Sequence, residues 1–135
     1  MACQALRLAG EVITTPFTFP ATPHVLRWNN ITPVFADIDP ETLCIDPAGV
    51  ESRVKPSTTG ILGVHVYGVP CDVHALDGIA RSHGLRVVYD GAHAFGTQID
   101  GQTIASFGDA TMLSFHATKL FHTAEGGALA VNEEN

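Results

Sequence analysis

The chain has 135 residues, 45% apolar and 16% charged, which fits one folded domain with a substantial core and no disordered tail. A net charge of −7 argues against binding a nucleic-acid backbone, which requires clustered cations. No apolar run approaches the ~18 residues of a membrane span, and no signal peptide is visible.

Short apolar runs alternate with helical patterns along the chain. Residues 1–10 (M-A-C-Q-A-L-R-L-A-G) place apolar side chains near helical spacing, end at Gly10 and lack an N-cap. They read as the back half of a helix. Val12–Thr15 reads as a strand stopped by Pro16. Thr22 followed by Pro23 reads as the cap and first position of a helix that closes near Asn29 and Asn30. Pro33–Asp37 is the next strand, and Asp46-Pro47 opens a short helix through Val50 and Val54.

The run I-L-G-V-H-V at 61–66 has the near-continuous apolar character of a strand covered on both faces. From Val73 to His83, Val73, Leu76, Ile79 and Ala80 form a helical stripe, and Gly84 closes it. Leu85–Tyr89 is a strand, and residues 97–104, centred on Asp100-Gly101, read as a small hairpin. Ala110–Phe115 and Ala128–Val131 complete the set, followed at once by N-E-E-N at 132–135. The uncapped start and the abrupt finish lead us to expect a segment of something larger.

Cys3, Cys44 and Cys71 are odd in number and far apart, so they read as reduced core thiols of a cytoplasmic protein. H-x-x-x-H spacing is absent, and His116 and His122 have no acidic or thiol partner at ligand spacing; no metal site is expected.

The alternation of strand and helix predicts an α/β domain with a largely parallel sheet, and such sheets bind ligands at the carboxyl ends of their strands. Asp90 ends one predicted strand, Ser114 lies at the end of another, and Lys119 follows five residues later. A carboxylate at a buried strand end is costly unless something cationic meets it. A helix cap, an ion pair with an arginine, or Lys119 itself would serve. Pyridoxal phosphate (PLP) accounts for more of the residues. It needs a lysine for its Schiff base, an acid to keep its ring nitrogen protonated, a flat cover for the ring and donors for its phosphate. The freed lysine can then move the proton as general acid and base. No G-x-G-x-x-G follows a strand and no P-loop is present, which disfavours nicotinamide and nucleoside-triphosphate readings.

Five stretches, in this order and spacing, carry a specific likeness: E-V-I-T-T-P-F-T-F-P-A-T (11–22), T-P-V-F-A-D-I-D-P-E-T (32–42), V-H-V-Y-G-V-P-C-D (64–72), Y-D-G-A-H-A-F-G (89–96) and G-D-A-T-M-L-S-F-H-A-T-K (108–119). The chain resembles the DegT/DnrJ/StrS-type sugar aminotransferases, PLP enzymes of the aspartate-aminotransferase fold (fold type I). The resemblance implies a three-layer α/β/α large domain with a mostly parallel sheet whose last strand is antiparallel. Residues 1–135 would form its central part, as a single domain, without the N-terminal strand and phosphate loop or the C-terminal small domain. It also implies that Lys119 is the Schiff-base lysine and that Asp90 pairs with the pyridine nitrogen. By the same likeness His93 lies near the phenolic oxygen, Ser114 binds phosphate and Phe19 stacks on the ring. Gly91 stands where the family often has alanine, a change expected to cost little beyond local flexibility.

The implied reaction moves an amino group, with glutamate as donor, to a nucleotide-linked keto sugar of the dTDP-4-keto-6-deoxyglucose type. Such products feed O-antigen lipopolysaccharide or glycosylated metabolites. The resemblance implies a homodimer with active sites built from both subunits. The family's sugar dehydratases carry histidine in place of the lysine, so Lys119 favours transamination. The alternatives are a catalytically inactive remnant, a PLP sugar dehydratase or regulatory relative, and a generic nucleotide-binding module, which the missing phosphate loop disfavours.

Overall fold

The structure is a computed structural model describing residues 1–132, so Glu133, Glu134 and Asn135 of the terminal N-E-E-N run lie outside the described residues. Its strands are β1 (Glu11–Thr14), β2 (Thr32–Phe35), β3 (Thr58–Val64), β4 (Arg86–Asp90), β5 (Gln98–Ile99), β6 (Gln102–Thr103), β7 (Ala110–Ser114) and β8 (Gly127–Val131). Its helices are α1 (Ala2–Ala5), α2 (Ala21–Trp28), α3 (Pro47–Glu51) and α4 (Val73–His83). A six-stranded sheet runs β2-β1-β3-β4-β7-β8, parallel until β8 pairs antiparallel with β7. β5 and β6 form a separate hairpin.

Side-chain alternation along the inner strands builds the layers. Ile13, Ile61, Val87 and Tyr89 point to one face and pack with Val50 of α3 and with Val73, Leu76 and Ala80 of α4. Their neighbours Val12, Leu62 and Val88 point to the other, against Cys3 of α1 and Leu26 of α2. Apolar side chains on both faces explain why these strands read as continuous hydrophobic runs. The fold is α/β with helices on both sides of the sheet.

Several local signals act as the sequence predicts. Asp46 caps α3, its carboxylate accepting from the amides of Ala48 and Gly49. Gly84 ends α4 in the left-handed conformation at φ 66°. Asp100 and Gly101 turn the hairpin with φ of 50° and 77°, as a two-residue turn between right-twisted strands requires. The three cysteines are free and buried.

Other elements are displaced. α1 spans only Ala2–Ala5 and does not reach Gly10, because Arg7 turns left-handed at φ 54°. β2 stops at Phe35 and α3 at Glu51, short of Asp37 and Val54. β3 starts at Thr58 and ends at Val64, leaving His65 outside the strand and Val66 in a single 3-10 turn, Val66–Gly68. Thr22 is not a cap. Pro20 holds that position without a side-chain hydrogen bond, and Thr22 sits buried inside the first turn.

Gly91 also departs from expectation. Its amide donates to the Met112 carbonyl at 2.7 Å. A Cβ there would lie 2.9 Å from that same oxygen and 3.1 Å from side-chain carbons of Ile104 and Leu113. Glycine is what lets the segment after β4 press against β7. Gly91→Ala should therefore lower stability by about 1–3 kcal/mol, the usual range for overpacking. Gly78→Ala, in an exposed stretch of α4 with nothing within 4 Å of the added Cβ, should raise it by about 0.5–1 kcal/mol. Urea midpoints of the two variants measure both.

Candidate active site

Parallel pairing brings the carboxyl ends of β3, β4 and β7 to one edge of the sheet. Val64, the last residue of β3, pairs with Asp90, the last residue of β4, and Asp90 pairs with Met112, two residues before Ser114 at the end of β7. Each chain segment leaving these ends contributes to the site.

Asp90 is half-buried. Its Oδ1 accepts from the Ala92 amide at 3.0 Å and its Oδ2 from the Thr22 hydroxyl at 2.7 Å. Its backbone carbonyl takes the His65 amide at 3.0 Å. Among the described residues no Lys or Arg forms an ion pair with it. A carboxylate offers about four acceptor positions, so a further donor can still reach it.

Lys119 sits in the turn beyond β7, and His116 holds that turn from several sides. The His116 carbonyl accepts the Lys119 amide at 2.9 Å, and its own amide donates to Ser114 Oγ at 3.4 Å. His116 Nδ1 accepts the Thr118 amide at 3.4 Å and lies 3.0 Å from the Thr118 hydroxyl. An amide only donates, so in the neutral ring the imidazole proton sits on Nε2, 3.5 Å from Glu125 Oε1. Ser114 and Lys119 are therefore linked through a single histidine.

Two adjoining clefts, of about 380 and 330 Å³, share Tyr67, His93 and Lys119 in their walls. Ala92 and Thr118 also line the first, and Phe17, Thr18 and Phe19 line the second. The structure thus brings Phe19, His93 and Lys119 to one opening. Asp90 and Ser114 are not among the lining residues; Asp90 is hydrogen-bonded to the lining residue Ala92, and Ser114 to His116. Phe19 is 74% exposed, its ring free to cover something placed in the second cleft.

Sequence reading passed over Tyr67. Its ring stacks on His93 at 5.8 Å and 7°, and its amide donates to His93 Nδ1 at 3.4 Å. That bond leaves the neutral His93 ring with its proton on Nε2. Tyr67 adopts φ 53°, which is rare for a bulky residue. The Tyr-Gly pair directly after the apolar run was the available signal. Thr22 was missed for a different reason, because Thr-Pro looks like a helix start.

The family model for DegT/DnrJ/EryC1/StrS aminotransferases matches residues 1–135. The chain belongs to that family. It is 52% identical over 133 residues to the dTDP-4-amino-4,6-dideoxy-D-glucose transaminase of Shigella dysenteriae, covering 98% of this chain and 36% of that protein. The chain therefore spans about a third of the length of the curated relatives it matches. Among solved structures, DesI in the presence of its TDP-sugar product aligns with a TM-score of 0.94 and 49% identity, over 97% of this chain and 33% of that one. The PLP form of Spr1654 from Streptococcus pneumoniae aligns at 0.90 and 30%, over 98% and 38%. The fold is that of the PLP-dependent aminotransferases of fold type I.

His65 supports the site from below the strand ends. It is fully buried, its Nδ1 accepts the Cys71 amide at 3.0 Å, and its ring stacks on Tyr89 at 4.7 Å. Burial pushes its pKa down from 6.5 to about 4. Between those values the unfolded chain binds the proton and the folded chain does not, so stability should rise with pH across that window. The contribution is complete above about pH 6.5 and reaches roughly 3 kcal/mol. Urea unfolding from pH 4 to 7 should show this slope, and His65→Gln should flatten it.

Proposed function

We propose that the chain forms the central part of the cofactor-binding large domain of a PLP-dependent nucleotide-sugar aminotransferase. The observation that carries this reading is the opening shared by Lys119, His93 and Phe19 beside an acid, Asp90, that has no cationic partner among the described residues. The donor set fits the cofactor. An acid with acceptor capacity to spare suits a ring nitrogen that must stay protonated, and an amine, a hydroxyl and an exposed aromatic ring suit the aldehyde, phosphate and ring face.

When bound, PLP supplies an electron sink that acidifies the C–H bond beside a donor's nitrogen. Lys119 Nζ would hold the cofactor's aldehyde carbon, and the same amine, once free, would move the proton at the donor and acceptor carbons as general base and acid. Asp90 would accept a hydrogen bond from the ring nitrogen's N–H and hold the positive charge there. His93, with its proton on Nε2, would donate to the phenolic oxygen. Ser114, whose Oγ already accepts the His116 amide, keeps its own proton to give to a phosphate oxygen. Phe19 covers the ring and excludes water.

The acceptor we propose is a dTDP-linked 4-keto-6-deoxy sugar, with glutamate as donor. The name of the Shigella relative and the TDP-sugar product of DesI support this choice. A homodimer, a cytoplasmic setting and O-antigen or related saccharide synthesis belong to the same proposal. Among the described residues no helix is long and apolar enough to cross a membrane.

Borohydride reduction tests the assignment. The chain incubated with PLP, reduced and digested should yield one phosphopyridoxyl-modified peptide, with the label on Lys119, and Lys119→Ala should yield none. A label spread over Lys55 and the N-terminus, unchanged by Lys119→Ala, would refute the site.

A further inference from the structure

Thr22 is 4% exposed and lies on the face of α2 that carries Leu26, one turn further along and fully buried in the core. Leu26 packs the helix against the sheet, and that same face presents the Thr22 hydroxyl to the end of β4. The hydroxyl donates to Asp90 Oδ2 at 2.7 Å. A hydroxyl has one proton, so Thr22 has none left for Thr18, whose Oγ1 lies 2.8 Å away. Thr18 is then the donor to Thr22. The two hydroxyls form a chain running from Thr18 through Thr22 to the carboxylate, with every proton pointing towards Asp90.

We propose that Thr22, backed by Thr18, is a positioning residue that fixes the Asp90 carboxylate in the orientation that keeps the cofactor's ring nitrogen protonated. The inference rests on the reading of Asp90 as the partner of that nitrogen. With Oδ2 bound to Thr22 and Oδ1 to the Ala92 amide, rotation of the carboxylate about its last torsion is blocked, and its remaining lone-pair directions are set. Hydrogen bonds to an ionised acceptor are stronger than those between neutral groups. The chain also ties the acid to a wall of the site. Thr18 lies between Phe17 and Phe19, and all three line the second cleft. The segment that covers the ring and the acid that charges it are joined by two hydroxyl groups.

The experiment loads the chain with PLP carrying nitrogen-15 in the ring and reads that nitrogen's NMR resonance, together with the PLP dissociation constant. Thr22→Val keeps the shape and removes the hydroxyl. Thr22→Ser keeps the hydroxyl and removes the methyl group. Asp90→Asn is the reference. The expected result is a protonated ring nitrogen in the unaltered chain and in Thr22→Ser. In Thr22→Val the resonance should move towards the unprotonated position, and PLP should bind about tenfold more weakly, the loss of one hydrogen bond to a charged group. A Thr22→Val resonance identical to the unaltered chain's, while Asp90→Asn shifts it, would overturn the role of Thr22 and leave that of Asp90 standing. Equal shifts in the serine and valine variants would also overturn it, because the hydroxyl would then not be the cause. No shift in Asp90→Asn, or no uptake of PLP, would overturn the reading of Asp90 and this inference with it.

Discussion

A carboxylate at the end of a buried strand is the constraint around which this structure is arranged. Asp90 leaves β4 where the sheet gives way to the clefts, and its charge must be met by hydrogen bonds or a cation. The protein supplies one hydroxyl, one amide and no Lys or Arg ion pair among the described residues. The surrounding segments follow from that choice. α2 brings Thr22, the turn after β4 brings Ala92, and the chain leaving β3 sends the His65 amide to the Asp90 carbonyl. Gly91 carries no side chain because the same turn must press on β7. A solvated acid would have needed none of this.

The lysine is placed by a different device. The segment from Phe115 to Gly126 contains no helix or strand, yet it is closed by its own hydrogen bonds. The Phe115 amide meets the Gly126 carbonyl at 2.9 Å, the Thr123 amide meets the Phe115 carbonyl at 3.0 Å, and the Thr123 hydroxyl meets the Glu125 carbonyl at 2.9 Å. Phe95, Phe115 and Phe121 pack together beside it, with ring centroids 4.6–5.9 Å apart. Lys119 thus lies in a loop closed by its own hydrogen bonds and carries a flexible four-carbon side chain. That combination suits the Schiff-base role proposed for Lys119.

Most of the sheet was legible because the strands are short, apolar and bounded by Gly, Pro or Asp. Punctuation that acts within its own few residues is legible at Gly84, Asp46-Pro47 and Asp100-Gly101. Errors arose where tertiary contacts override a local signal. Thr22-Pro23 has the form of a cap, but Pro20 starts the helix and Asp90, 68 residues away, claims the hydroxyl. Tyr67 was passed over because its left-handed backbone and its stacking on His93 depend on a loop distant in sequence. At Gly91 the sequence predicts only a small cost, because nothing local shows that Met112 and Leu113 crowd it. Asp90, Ser114 and Lys119 stand out in the sequence at predicted strand ends, whereas the roles of His93 and Phe19 come from family likeness; the structure places Phe19, His93 and Lys119 in one cleft wall.

The central claim is that Asp90 stands ready for a cationic ring nitrogen. Equilibrium titration of PLP into the unaltered chain and into Asp90→Asn tests it most directly, with urea unfolding of both to verify the fold. The account predicts that the amide weakens PLP binding by tenfold or more, about 1.4 kcal/mol or above, while the unfolding midpoint changes little. Equal affinities in two equally folded proteins would contradict it, and Asp90 would then be only a structural acid at the end of a strand.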